Sequence, residues 1–86
     1  MSYVDIIADL NPEAYVMDDY DDCIIGISNT GVLVYSKLKI ITKLILEQEM
    51  PLEDAEEWYS YNMVRALDYL GPTAPIFCEE YECTEL

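Results

Sequence analysis

The sequence predicts one α+β domain, ordered ββααβ behind a short N-terminal helix, with an αα-hairpin covering a three-stranded, mainly antiparallel sheet. Three observations predict it. Residues 52–70 repeat their apolar side chains at helical spacing and run into Gly71-Pro72, which cannot continue a helix. Two apolar runs, 23–28 and 32–35, flank Asn29-Thr30-Gly31, a hairpin connection. A chain of 86 residues, 52% of them apolar, can close one small core but not two.

Residues 2–10 form the short helix. Ser2 is its cap with Asp5 three positions on, and Val4, Ile7 and Leu10 share a face. Asn11-Pro12 ends it.

An irregular acidic stretch comes next, with Asp18, Asp19, Asp21 and Asp22 beside Tyr15 and Tyr20. Hard cations such as calcium take carboxylate oxygens. This spacing, however, lacks the turn glycine and closing glutamate of a calcium loop. The expectation is a solvated loop whose six named side chains form a face for a basic partner.

The hairpin spans 23–35. Gly26 is expected to allow close packing within the first strand, and Gly31 to supply positive φ in the turn. The two glycines make neither phosphate-binding fingerprint.

Ser36 caps a helix over 37–48, whose polar stripe is Lys39, Lys43 and Glu47, with Lys43 and Glu47 placed to pair. Leu38, Ile40, Ile41, Leu44, Ile45 and Leu46 fill most of the remaining circumference. So wide an apolar arc predicts burial between sheet and second helix, and leaves room for a homodimer through the 37–48 helix.

Met50-Pro51 turns the chain into the helix 52–70. On a wheel, Leu52, Ala55, Trp58, Tyr59, Met63, Ala66, Leu67 and Leu70 gather on one face. Asn62 falls inside that face and Arg65 on its edge. Both are expected to be structural polar anchors. Asn62 would bond the backbone near Ala74-Pro75, and Arg65 would stack on Trp58 or pair with a carboxylate. Gly71 supplies the left-handed stop. A third strand, 75–78, begins at Pro75 or runs along an edge, and 79–86 is an acidic tail expected to fray.

Eighteen acids against four bases give a net charge of −14. Such a chain repels nucleic acid and anionic membranes and is steered towards basic protein surfaces. Histidine, the commonest general base and metal ligand, is absent. Cys23, Cys78 and Cys83 show no C-x-x-C spacing and read as reduced thiols of a cytoplasmic protein. No signal peptide and no membrane-length apolar run is visible. The expectation is therefore no enzyme, no cofactor and no metal.

The run Y-N-M-V-R-A-L-D-Y-L-G-P-T-A-P-I, with E-D-A-E-E-W upstream and Y-D-D-C-I-I-G-I near the start, resembles a family of short uncharacterised bacteriophage proteins. The matching residues are Asp21, Asp22, Gly26, Tyr35, Ala55, Asn62, Arg65, Ala66, Tyr69, Gly71, Ala74 and Pro75, spread over about residues 18–78. Pro51 departs from the family, whose members more often carry a Thr or Ser cap there. The resemblance implies a phage protein in the cytoplasm of a bacterial host, and no activity.

Together these readings predict a small accessory protein that binds a host or phage protein non-covalently, as an inhibitor or an antagonist of host defence. Two alternatives stand beside it. One is a DNA mimic that blocks a nucleic-acid-binding protein, and the other is a homo-oligomeric structural protein.

Overall fold

The Ser2 hydroxyl accepts the Asp5 amide at 3.3 Å and opens α1, Tyr3–Leu10. A computed structural model of the chain describes residues 2–79. Cys83 and the expected tail beyond Glu79 lie outside them.

β1 (Ile24–Ile27) and β2 (Leu33–Ser36) form the antiparallel hairpin, with Gly31 at φ 80° in its turn. The pairing slips by one residue between Ile24 and Gly26. Gly26 does not serve close packing, because a Cβ built there would meet nothing within 4 Å. It sits instead beside the irregularity, where a flexible backbone eases the kink.

Ser36 ends β2 and at once caps α2, Lys37–Glu47, its buried hydroxyl accepting the Lys39 amide at 3.2 Å. α2 buries Ile40, Ile41 and Leu44, packing on β2 and on α3, Leu52–Tyr59. The expected sandwich covers that side only. Leu38 and Leu46 remain exposed, and so does Leu52 at the start of α3.

The helix 52–70 is interrupted. After α3 comes one π turn, Ser60–Val64, closed by Arg65 N–H to the Ser60 carbonyl at 3.3 Å. α4, Leu67–Leu70, begins after a further turn. Gly71 stops it with φ 61° and ψ −136°, a backbone region open to glycine and not to other residues.

β3, Ile76–Cys78, then returns beside β2, directly after the buried Pro75. The sheet order is β1-β2-β3, one pair antiparallel and the β2–β3 pair parallel. Parallel neighbours need a long crossover, and the α2–α3–α4 segment is that crossover. Phe77 closes the core, its ring 6.1 Å from that of Tyr35 and 5.4 Å from that of Tyr59. Such aromatic pairs contribute about 0.5–1.5 kcal/mol beyond the area they bury.

Candidate functional site

The acidic segment is built into the fold at both ends. Asn11 Nδ2 donates to the Gly31 carbonyl at 2.8 Å, joining the end of α1 to the hairpin turn. Tyr15 N–H donates to the Thr73 carbonyl at 3.0 Å, and Met17 N–H donates to the Tyr35 phenol oxygen at 2.8 Å. Tyr35 is fully buried, and that burial raises its pKa. Between these ties Met17–Tyr20 makes a tight turn with Asp19 at φ 70°. Aspartate is among the few side chains that tolerate this region.

The structure divides the six predicted contact residues into two groups. Tyr15, Asp18 and Tyr20 line one wall of a groove of about 280 Å³. The opposite wall is Trp58, Met63, Leu67 and Leu70, and Phe77 also borders it. Asp19 and Asp21 are exposed outside that groove and make no ion pair among the described residues.

Asp22 has a different task. It holds Lys43 at 3.1 Å, and Lys43 also reaches Glu47 at 3.2 Å and lies 5.7 Å from the centre of the Tyr20 ring. The hydrogen bond from Lys43 lowers the Asp22 pKa, and the same bond raises that of Lys43. The cluster ties the acidic turn to α2. Burial, with the neighbouring Cys23, raises the Tyr20 pKa.

The two expected polar anchors are placed otherwise than their wheel positions suggest. Asn62 is exposed and donates to the Trp58 carbonyl of its own helix at 3.0 Å, not to the Ala74-Pro75 backbone. The π turn is the physical reason. One extra residue in a turn rotates the remainder of the helix by roughly 100° from a regular wheel, so an unbroken projection misplaces this stretch. Asn62 therefore borders the groove instead of locking helix to strand. Arg65 is likewise exposed, and its guanidinium lies 5.6 Å from the Tyr61 ring centre rather than on Trp58.

The thiols differ sharply. Cys23 is buried, and burial with the adjacent Asp22 carboxylate pushes its pKa up to about 11, whereas Cys78 is exposed. Among the described residues no three His, Cys, Asp or Glu side chains converge as metal ligands would. No helix among them is long and apolar enough to cross a membrane.

No family model, curated protein or solved structure matches this chain. The groove joins apolar side chains to one carboxylate, Asp18, and two phenols, Tyr15 and Tyr20, and the buried Met17–Tyr35 hydrogen bond anchors the segment that carries them. The acidic and tyrosine side of this trough is visible in the sequence, and its apolar side is not. Helical periodicity assigns Trp58, Met63, Leu67 and Leu70 to the core, although only Met63 of the four is fully buried.

Proposed function

We propose that this chain is a small acidic accessory protein of a bacteriophage that acts in the host cytoplasm by non-covalent binding to another protein. The contact is the groove between the acidic turn and the α3–α4 segment. Its occupant is a basic segment of the partner carrying one bulky apolar side chain. The observation that carries this reading is the meeting of Tyr15, Asp18 and Tyr20 with Trp58, Leu67 and Leu70 around one trough. The phage setting rests on the motif resemblance, and the basic partner on the charge of −14.

The size of the groove supports a side-chain anchor. Small-molecule pockets run from roughly 300 to 1,000 Å³, and this one, about 280 Å³, lies just below that range. Interfaces concentrate their energy in such buried anchors, with charged rims setting rate and specificity.

Capture from bacterial lysate with three baits tests the proposal: wild type, Asp18→Lys and Leu67→Glu. A basic protein retained by wild type and lost from both variants is the expected result. Retention that Leu67→Glu leaves intact and that salt abolishes would favour charge mimicry of nucleic acid. Capture of nothing at any salt would overturn the reading.

A further inference from the structure

The groove has a neighbour across Trp58. An open hollow of about 360 Å³ is lined by Met50, Asp54, Glu57 and Tyr61, and Trp58 and Asn62 line both it and the groove. The two hollows therefore meet along a ridge made by those two side chains. Asp54 and Glu57 stand three residues apart on α3, so they share one side of the helix. Both are exposed, and neither makes an ion pair among the described residues. Tyr61 is 60% exposed and already carries one cation, the Arg65 guanidinium 5.6 Å from its ring centre.

The ridge is a product of the π turn, which brings Asn62 out of the apolar face and sets it beside Trp58. π turns inserted in α-helices are frequent at functional sites. Asn62 Nδ2 donates back to the Trp58 carbonyl at 3.0 Å, and its Oδ1 accepts nothing among the described residues. A segment crossing the ridge can donate a backbone N–H to that oxygen. On one side of the crossing it meets the apolar wall of the groove. On the other it meets two carboxylates one helical turn apart, with the Trp58 and Tyr61 rings beside them. That combination suits a cation on a flexible apolar stem: the stem lies along Met50 and the rings, and the charge meets the carboxylates.

We propose that the segment occupying the groove continues across Trp58 and sets a cationic side chain in this second hollow, against Asp54 and Glu57. The inference rests on the groove reading above and adds an order to it. One extended segment places an apolar side chain on one side of the ridge and a lysine or arginine on the other, a few residues apart. Charge complementarity selects that occupant. Asp18, Asp54 and Glu57 make no ion pair among the described residues, so a basic segment gains at all three. A second copy of a chain carrying −14, or a nucleic acid, is repelled there.

Synthetic peptides test the order directly. The probes are capped glycine–serine peptides with one leucine and either arginine or serine placed one, two or three residues from it, read by the emission of Trp58. The leucine-only peptides are expected to move that emission, and arginine at one spacing to tighten binding by about threefold or more, the scale of an exposed ion pair. The double variant Asp54→Asn, Glu57→Gln should lose this gain and keep the leucine-only affinity, which also shows that it folds. Asp9→Asn, Asp68→Asn makes the same change of net charge outside both hollows and should keep the gain. A gain that both double variants lose equally would assign it to overall charge and overturn the proposal. No gain at any spacing, with leucine-only binding intact, would overturn it and leave the groove reading standing. No response to any peptide would remove both.

Discussion

The phenol oxygen of Tyr35, at the centre of the sheet, accepts the backbone N–H of Met17 at 2.8 Å, in the turn that presents Asp18 and Asp19. One buried hydrogen bond across 18 positions of sequence sets where the acidic turn sits against the groove. Tyr35→Phe keeps the ring and strands the amide. A buried donor left unpaired costs about 1–3 kcal/mol. Thermal unfolding should show a loss of that size, and amide exchange at Met17 should accelerate. Unchanged stability and unchanged exchange would mean that the turn holds its place without Tyr35.

The Asp22–Lys43–Glu47 cluster makes a directional acid prediction. Asp22 has a lowered folded pKa, so its stabilisation is present above the ordinary carboxylate pKa. It is lost as pH falls through the lowered folded value. Lys43→Met should return the Asp22 titration, followed by carboxyl NMR, upward towards the ordinary range. Because Asp22 is largely exposed, solvent screening keeps the effect on stability small.

Alkaline behaviour runs the other way. Burial, reinforced by the Glu79 carboxylate, pushes the Tyr59 phenol up to about 12 from an ordinary 10.0. The neutral ring stabilises the fold fully below the unfolded value, and that contribution disappears as pH rises through the folded one. Spectrophotometric titration should find this tyrosine ionising late, with stability falling between those two values. Tyr59→Phe should remove that part of the decline.

Thiol chemistry separates the two described cysteines. Only the thiolate reacts, and Cys23 is both buried and shifted to about 11. At neutral pH an alkylating reagent, followed by peptide mapping, should modify Cys78 and leave Cys23 untouched until denaturant is added. Equal modification in the native protein would contradict the burial of Cys23.

Local rules carried most of the fold. Ser2 and Ser36 cap helices, Gly31 and Gly71 take positive φ, and the three strands lie where their apolar runs placed them. Each of these depends on a residue and its near neighbours. The features that stayed hidden were either long-range or out of period. The Met17–Tyr35 and Tyr15–Thr73 bonds join irregular backbone to distant elements, and no spacing announces them. Lys43 was legible as the partner of Glu47, four residues on, but not of Asp22, 21 residues away. Asn62 and Arg65 were misplaced because a wheel assumes a constant turn, and the π turn at Ser60–Val64 breaks it. The groove's apolar wall read as core because a helix face shows which residues avoid water, not what covers them.

Trp58 is the single tryptophan and it lines the groove, so its fluorescence reports occupancy without a label. The most direct measurement is its emission while the partner captured by the wild-type chain is titrated in. A blue shift that saturates with binding, weakens in high salt and is absent from Leu67→Glu is the predicted result. A partner that calorimetry shows to bind wild type and Leu67→Glu equally, with the indole emission unmoved, would contradict it.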